Sequence, residues 1–500
     1  MSRARILSID QGTTNTKALL IDASGQVLAR ASRPMSLHCP QPGWIEQDAA
    51  EIWAAVREVI EEILTAHGAQ ALAALAVTNQ RESVVVWERA SGKPLGPCVI
   101  WQCRRTAPAC AELRRQGRAS AILEKTGLGV DPLFSATKAH WLLEQIPGGI
   151  RRAKAGELCA GTVDSWLLYN LTAGAAHACD TTNASRTQLM NLDTLAWDAD
   201  LSEWFGVPRA ALPAILPSSG EFGRTAGFGP LPAGLPIAAM IGDSHAALFA
   251  HASFRPRATK ATYGTGSSLM RGTAGRPYSL FRLSSTVAWS TPHRIEYGIE
   301  GNITLTGGAV QWAAEMLGLD GAEAAAALAA TVSGNEGVYL VPAMAGLGAP
   351  YWRDDARGLL TGLTRGSTAA HVARAALESV AYQVRDVFDA MTKDTGEAPE
   401  ALLADGGASR NDILMQFQAD ILGCPVVRNL SADLSAIGAA QLAGLAAGVW
   451  KDVAELERLP RQEQRFEPRM AASRRHELFG GWVRAVHQVL DREREPEMGT

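Results

Sequence analysis

Cysteines are few in this sequence, and none is spaced for metal binding. Seven occur in 500 residues, an odd number, and no two are separated as in a C-x-x-C pair. A zinc site or a disulfide framework is therefore not expected, and scattered thiols are typical of a reducing compartment. No apolar run is long enough to span a membrane, and the run after the basic start is too short for a signal peptide. We therefore predict a cytoplasmic protein with no membrane partner.

The sequence also lacks an excess of charge of one sign. Lys and Arg number 47 against 51 Asp and Glu, which gives a net charge of −4 and no general attraction to nucleic acid. Hydrophobic residues make up 47% of the chain, with many aliphatic residues and alanines, as in a well-buried α/β protein. Because 500 residues exceed one ordinary core, at least two domains are expected.

Two common nucleotide-binding motifs are missing. A P-loop requires G-x-x-x-x-G-K-[ST], which does not occur. A dinucleotide fingerprint requires G-x-G-x-x-G, and the run that begins at Gly264 has Leu269 at the third glycine position. The GLG runs at 127–129 and 346–348 fail in the same way.

One glycine turn near the start lies between two strand-like runs, in SIDQGTTNTKALLID. The flanking runs predict a β-hairpin, and an ordinary threonine-rich turn is one interpretation. The other is a phosphate cradle, because Gly12 allows backbone N–H groups to approach an anion closely and Thr13 and Thr14 add hydroxyl donors. Asp10 would supply the hard oxygen ligand that Mg²⁺ prefers.

This layout occurs again in the second half of the chain. TKATYGTGSSLMRG also places a glycine–threonine turn between strand-like runs, and a third turn at Gly406–Gly407 lies between a strand and a helix. The repetition predicts a duplicated α/β fold with two similar domains that face each other. We place the boundary just after IGDSHAALFA, which gives domains 1–250 and 251–500. Two hairpins could then bind a polyphosphate from both sides, and the third turn could admit a flat adenine.

Between these turns, two patterns predict local structure. Asp48 and Glu51 resemble a capping box at the start of a helix. Apolar residues follow at helical spacing: Ile52, Val56, Val59, Ile60 and Ile63. The next apolar run, ALAALAVTNQRES, reads as a strand that ends abruptly in polar residues, which is where an α/β fold displays its site residues.

Many short stretches together resemble the glycerol kinase-like branch of the FGGY carbohydrate kinase family. They are IDQGTTNTK, PGWIEQD, TNQRES, WQCRRT, GTVDSWLL, TTNASRT, TYGTG, GLGAPYW, ARG, YQVRD and DGGASRND, in the family's order from residue 5 to about 450. The resemblance implies two ribonuclease-H-like domains of the actin and hexokinase ATPase fold, with an interdomain cleft. It also implies transfer of the ATP γ-phosphate to a primary hydroxyl.

The resemblance assigns the phosphoryl-transfer residues. Asp243 would be the catalytic base, although an N-cap role for the following helix is also compatible with its position. Asp10 would contact Mg²⁺. The residues that would bind ATP are Thr13, Thr14, Asn15 and Lys17 in the first hairpin, Thr265 in the second, Gly307 and Gln311 near the ribose, and Gly407 and Asn411 at the adenine.

The same resemblance places a polyol clamp at Arg81 and Glu82, with Trp101 as an apolar wall. Arginine offers a fixed fork of donors and glutamate accepts, which suits neighbouring hydroxyl groups. Taken alone, an adjacent Arg–Glu pair is more often a surface ion pair.

Three positions of the pocket depart from the family's pattern. Leu133 replaces a tyrosine, Ser244 a glutamine and Ser268 a phenylalanine, so the pocket should be wider and differently polar. His245 is either a further substrate contact or a histidine on the helix surface.

The sequence thus predicts an ATP-dependent kinase of a small polyol or sugar, either glycerol or a larger relative such as a tetritol, a pentose or a ketose. The alternative is a non-catalytic ATP-binding sensor on the same fold. Dimers are common in the family, so a homodimer is one of the assemblies that the resemblance allows.

Overall fold

The computed structural model describes residues 4–251 and 258–491. The strands are, in chain order, β1 Arg5–Gln11, β2 Asn15–Asp22, β3 Val27–Pro34, β4 Glu46–Gln47, β5 Leu72–Asn79, β6 Val84–Glu88, β7 Cys98–Val99, β8 Leu158–Thr162, β9 Ala178–Asp180, β10 Met190–Asn191, β11 Ala196–Trp197, β12 Ala214–Leu216, β13 Ser219–Arg224, β14 Pro236–Gly242, β15 Thr259–Tyr263, β16 Ser267–Thr273, β17 Ser284–Thr291, β18 Arg294–Ile303, β19 Tyr339–Val341, β20 Leu359–Thr361, β21 Leu402–Asp405, β22 Val426–Asn429 and β23 Glu463–Phe466.

The helices are α1 Ala49–His67, α2 Ala107–Arg115, α3 Ala119–Thr126, α4 Ser135–Gln145, α5 Gly149–Lys154, α6 Val163–Leu171, α7 Thr181–Ala184, α8 Ala199–Trp204, α9 Asp243–Ala250, α10 Gly307–Met316, α11 Gly321–Ala329, α12 Ala369–Thr395, α13 Asp412–Leu422, α14 Leu434–Ala446, α15 Val453–Glu457 and α16 Ala472–Asp491. Short 3₁₀ turns occupy Arg209–Ala211 and Gly407–Arg410.

The first half of the chain is built on a six-stranded mixed sheet of order β13-β14-β5-β1-β2-β3. The predicted hairpin is present: β1 and β2 are antiparallel, and Gln11 pairs with Thr16. Strand β5 lies parallel to β1, and β14 lies parallel to β5. The carboxyl ends of β1, β5 and β14 therefore meet at one edge of the sheet.

The second half repeats this arrangement. Its seven-stranded sheet has the order β17-β18-β16-β15-β21-β22-β23, with an antiparallel β15–β16 hairpin beside the parallel strands β21 and β22. The predicted duplication of an α/β domain is thus confirmed in the strand order. The boundary at residue 250 stays a prediction, and residues 252–257 just after it lie outside the described residues.

Helix α14 belongs to the second half but packs on the first sheet. Its alanines form one buried cluster with Ile6 of β1 and Leu19 of β2, and Ser8 Oγ donates to the carbonyl of Ala436 at 2.7 Å. A Cβ atom at Gly438 would overlap the carbonyl oxygen of Ala246, so α14 and α9 cross with their backbones in contact. The crossing connects the first lobe, which is built on the six-stranded sheet, with the second lobe, which is built on the seven-stranded sheet.

The capping box predicted for α1 is only half correct. Asp48 caps the helix, because its carboxylate accepts from Ala50 N at 2.8 Å. Glu51 does not bond back to Asp48; its carboxylate accepts from Ser36 N at 3.0 Å, beyond the end of β3. The chain segment after β3 offers Glu51 an unpaired backbone donor that the local sequence does not reveal. All five predicted apolar positions of α1 are buried.

The longest helix, α12, has 27 residues and is amphipathic. Its buried face includes Val380, Val384 and Val387 in the core of the second lobe. Within residues 4–251 and 258–491, no helix combines the length and the apolar character that a membrane crossing requires.

Candidate active site

Four charged residues predicted for the site lie at the edge where the parallel strands of the first sheet end. Asp10 is the penultimate residue of β1, Arg81 and Glu82 follow β5, and Asp243 follows β14 directly. Adjacent pairing of these three strands brings the residues together, because parallel strands present their carboxyl ends at the same edge. The strand ends that the sequence pattern singled out therefore lie side by side, and their role as a site stays a prediction.

Asp243 begins α9, and its side chain bonds to the first turn. Its Oδ1 accepts from Ser244 N at 2.6 Å and lies 3.2 Å from Arg81 Nε. About a third of the side chain, 36%, is exposed at the cleft. Burial in the cleft raises the pKa of Asp243 above the usual value for aspartate, and the Arg81 guanidinium opposes that rise.

Asp10 has two further acids in its surroundings. Burial raises the pKa of Asp10 to about 7, Lys17 opposes this, and Asp243 and Asp433 add to it. Lys17 is itself paired with Asp433 at 3.3 Å. A carboxyl group among other carboxyl groups is stabilised in its charged form by a cation. Since Mg²⁺ uses one or two carboxylates and keeps several waters, the donor set fits that ion.

The first glycine turn is closed by a backbone hydrogen bond, and the residues at its tip are exposed to solvent. Gly12 N donates to Asn15 O at 2.9 Å, and a Cβ at Gly12 would lie 3.0 Å from that oxygen. Thr14 and Asn15 are exposed. Thr13 Oγ1 accepts from Trp101 Nε1 at 2.9 Å, so one residue predicted for ATP contacts one predicted for the acceptor pocket.

The second glycine turn supports the start of α10. Gly307 N donates to Gly264 O at 3.0 Å, and Gly308 N donates to Thr265 O at 3.1 Å. A Cβ at Gly307 would lie 2.6 Å from Gly264 O, so only glycine allows this approach. Thr265 is exposed at the tip of the turn. Gln311 lies one turn into α10, where its amide bonds to Glu315 and to the backbone N of Ala322.

At the third turn, the two adjacent glycines have different steric surroundings. Gly406 has φ 91°, and a Cβ there would lie 2.5 Å from Tyr263 O. Gly407 faces open space, with no atom within 4 Å of a Cβ position. Asn411 caps α13 and accepts from Leu414 N at 2.9 Å. The backbone thus needs Gly406, whereas the open side of Gly407 leaves room for a flat ring.

Arg81 and Glu82 do not form a surface ion pair, so that interpretation is wrong. They are only 7% and 4% exposed, and their charges are paired with other residues. Glu82 Oε1 lies 2.7 Å from Arg186 Nε, while Arg81 reaches Glu300 through both terminal nitrogens. Glu82 has φ 61°, a left-handed conformation that costs a non-glycine residue about 1 kcal/mol or more. Such strain is found at sites where the surroundings fix a side chain.

Three charged residues at this site were missed by sequence reasoning: Arg186, Glu300 and Lys138. All three are completely buried. Lys138 Nζ donates to the carbonyls of Leu133 at 2.7 Å, Glu82 at 2.9 Å and Ile100 at 3.3 Å. Burial lowers the pKa of Lys138 to about 8, although Glu82 opposes this. The available signal was a charged residue inside each of three motifs or strands, TTNASRT, DPLFSATK and GIEGNI.

The positions that depart from the family's pattern lie around the same cluster. Ser268 Oγ donates to Glu300 Oε1 at 2.7 Å, and the carbonyl of Ser244 accepts from the buried Lys260 at 3.3 Å. Leu133 is half-buried beside the clamp.

His245 is completely buried, which makes a helix-surface position wrong. Its Nε2 lies 3.2 Å from Thr286 Oγ1 of the second lobe. Burial holds the pKa of His245 well below its usual value, so the ring is neutral.

Two duplicated α/β lobes with a cleft between them, with acids at the strand ends of one lobe and glycine turns from both, place the protein among the two-domain proteins of the actin and hexokinase ATPase fold. Residues 5–250 match the N-terminal domain of the FGGY family of carbohydrate kinases, and residues 259–447 match its C-terminal domain. The chain belongs to this family and is a phosphotransferase with an alcohol group as acceptor. Family membership does not favour the alternative of a non-catalytic sensor.

Similar proteins are known over the full length. A glycerol kinase of Halorhodospira halophila is 46% identical over 100% of this chain and 99% of its own length. A glycerol kinase of Dechloromonas aromatica is 48% identical over 97% of each chain. Among solved structures, Plasmodium falciparum glycerol kinase with ADP superimposes with a TM-score of 0.91 at 31% identity and 98% coverage of both chains. A Lactobacillus acidophilus gluconate kinase, with a TM-score of 0.89 at 23% identity, shares the fold.

Proposed function

We propose that this protein transfers the γ-phosphate of ATP to a primary hydroxyl of a small polyol, with glycerol as the preferred acceptor and Asp243 as the base. One observation carries the proposal. Asp243 is a partly exposed carboxylate at the end of β14, in contact with Arg81 and beside the buried Glu82, at the sheet edge where the first glycine turn follows β1. A hydroxyl held by Arg81 and Glu82 would lie within reach of Asp243.

The chemistry of the chain's own residues is positioning and proton removal. Asp243 takes the proton from the attacking hydroxyl as the new O–P bond forms and the bond from the γ-phosphorus to the leaving oxygen breaks. Arg81 donates hydrogen bonds to the hydroxyl oxygens of the polyol, and the carboxylate of Glu82 accepts hydrogen bonds from its hydroxyl groups. Trp101 closes the pocket with an apolar face whose indole N–H is already bonded to Thr13.

The nucleotide is assigned to the two hairpin turns and the third glycine turn. Thr13, Thr14, Asn15 and Lys17 would approach the phosphates from the first lobe, and Thr265 from the second. Gly307 and Gln311 would lie near the ribose, and Gly407 and Asn411 at the adenine. When bound, Mg²⁺ would neutralise phosphate charge, and Asp10 is the residue that would hold it. The relative with ADP supports this use of the fold.

Glycerol is chosen because full-length relatives at 46% and 48% identity are glycerol kinases. Leu133, Ser244 and Ser268 are the positions that would favour a larger acceptor. We further propose that the protein acts in the cytoplasm on small molecules, without nucleic acid or membrane partners; a homodimer stays a prediction.

The test measures ADP release from purified protein with Mg-ATP and a panel of acceptors. The panel contains glycerol, erythritol, threitol, the pentitols, xylulose, ribulose and dihydroxyacetone. We expect glycerol to give the highest kcat/KM. A higher kcat/KM for a four- or five-carbon acceptor would overturn the choice of glycerol. The absence of turnover with any acceptor would overturn the proposed activity.

A further inference from the structure

Glu300 is the centre of a buried charge cluster that joins the two lobes. It lies in β18 of the second sheet and is completely buried. Its Oε1 is 2.8 Å from Arg81 Nη2 and accepts from Ser268 Oγ at 2.7 Å. Its Oε2 is 3.0 Å from Arg81 Nη1 and 2.9 Å from Arg186 Nη1. Both carboxylate oxygens are therefore fully engaged by protein groups.

The partners of Glu300 are the residues that hold the clamp. Because Glu300 holds both terminal nitrogens of Arg81, the guanidinium has one orientation, in which Nε faces Asp243 at 3.2 Å. Arg186 connects Glu300 to Glu82, the second residue of the clamp, because its Nη1 contacts Glu300 and its Nε lies 2.7 Å from Glu82 Oε1. The side-chain orientations of Arg81 and Glu82 are thus fixed by Glu300 and Arg186, which are not part of the predicted pocket.

The charges of this cluster depend on each other. Arg81 and Arg186 are two buried cations, and Glu82 and Glu300 are the two buried anions that face them. Burial alone would raise the pKa of Glu300, but Arg186 and Arg81 outweigh burial and hold it well below its usual range. Removal of one partner from such a buried pair leaves an uncompensated charge, which is costly.

We propose that Glu300 of the second lobe, together with Arg186 of the first, is a positioning residue for the acceptor: Glu300 fixes Arg81, and Arg186, which Glu300 also contacts, fixes Glu82 in its binding orientation. This inference rests on the proposed function, because it concerns the acceptor site of that reaction. It makes the orientation of the clamp depend on a residue of the second lobe, whereas the base and the clamp themselves lie in the first.

The competing explanation is that Glu300 only fastens the lobes together. The chain provides a matched control for it. Arg104 of the first lobe pairs with Asp354 of the second at 2.7 Å, and both are exposed, at 43% and 55%. Asp354→Asn removes a cross-lobe ion pair that makes no contact with Arg81 or Glu82.

The experiment compares wild type, Glu300→Gln, Glu300→Asp and Asp354→Asn in steady-state kinetics and thermal melting. In Glu300→Gln we expect the KM for the acceptor to rise about tenfold or more, while the KM for ATP changes by less than about twofold. Glu300→Asp keeps the charge but withdraws the carboxylate by one methylene, so it should raise the acceptor KM by less. Asp354→Asn should change neither KM.

An unchanged acceptor KM in both Glu300 variants would overturn the proposal, and so would an equal rise of both KM values. Glu300→Asp keeps the test open if Glu300→Gln does not fold. If wild type turns over no acceptor, the proposed function fails separately, and calorimetric binding of glycerol then tests Glu300. Equal Kd values for wild type and Glu300→Asp, or no glycerol binding to wild type, would then overturn the positioning role.

Discussion

Arg81 Nε lies 3.2 Å from Asp243 Oδ1, so the predicted clamp and the predicted base are in direct contact. The guanidinium favours the charged form of the carboxyl group, against the effect of burial. Under the proposed function, a hydroxyl bound by Arg81 would lie next to the carboxylate that takes its proton.

Asp243→Asn should abolish transfer and leave nucleotide binding intact. An amide cannot take the hydroxyl proton, so we expect kcat to fall by about 10²- to 10⁴-fold. ADP release measures the loss, and calorimetric titration of ATP measures the binding. Asp354→Asn serves as the control carboxylate. A kcat within about tenfold of wild type would rule out Asp243 as the base.

Leu133→Tyr, Ser244→Gln and Ser268→Phe, combined in one variant, should narrow the pocket. Added bulk excludes longer acceptors more than glycerol, so the ratio of kcat/KM for glycerol to that for erythritol should rise about tenfold. Ser268→Phe also removes the bond from Ser268 to Glu300, so Ser268→Ala is the control for that loss. An unchanged ratio would mean that these positions do not set acceptor size.

Lys138→Met should destabilise the fold and weaken acceptor binding. The substitution leaves three buried carbonyls without their charged donor, among them those of Glu82 and Leu133. We expect a loss of about 2 kcal/mol or more in the free energy of unfolding, and a raised acceptor KM. Denaturant unfolding and kinetics on the same samples check both. A stable variant with wild-type KM would show that the lysine is dispensable.

Gly438→Ala should destabilise the crossing of α14 and α9. The new methyl group would overlap the carbonyl of Ala246, and overpacking of this kind costs about 1–3 kcal/mol or more. Gly480 in α16 is the matched control, because a Cβ there meets only the end of the Arg484 side chain at 3.5 Å. Gly480→Ala should be neutral or stabilising by up to about 1 kcal/mol. Similar melting temperatures for both variants would contradict the close crossing.

Asp386 should make the protein less stable as pH rises. Burial raises the pKa of this carboxyl to about 7, although Trp482 Nε1 donates to it at 2.8 Å. Between the unfolded pKa of about 4 and the folded value, the native state binds more protons, so the free energy of unfolding falls as pH increases. Asp386→Asn cannot titrate.

The pH effect is checked by melting both proteins at pH 5 and pH 8. We expect the melting temperature of Asp386→Asn, relative to wild type, to be higher at pH 8 than at pH 5. Equal differences at the two pH values would show that Asp386 does not titrate in this range.

The sequence by itself determined the features that depend on neighbouring residues along the chain. Strand-like runs around Gly12 and Gly264 predicted both hairpins, and the repeated layout predicted the duplicated sheet. The apolar spacing of α1 predicted its buried face. These patterns are local, because turn chemistry, strand alternation and helical periodicity act over a few residues.

Only the tertiary structure decided which groups pair. Glu51 bonds to Ser36 and not to Asp48, and His245 is buried against Thr286 of the other lobe. Above all, Arg81 is held by Glu300, a residue that no local pattern connects to it. The packing of the two sheets decides which charged groups come into contact and excludes water from around them. Both effects depend on the whole folded chain, so no short stretch of sequence predicts them.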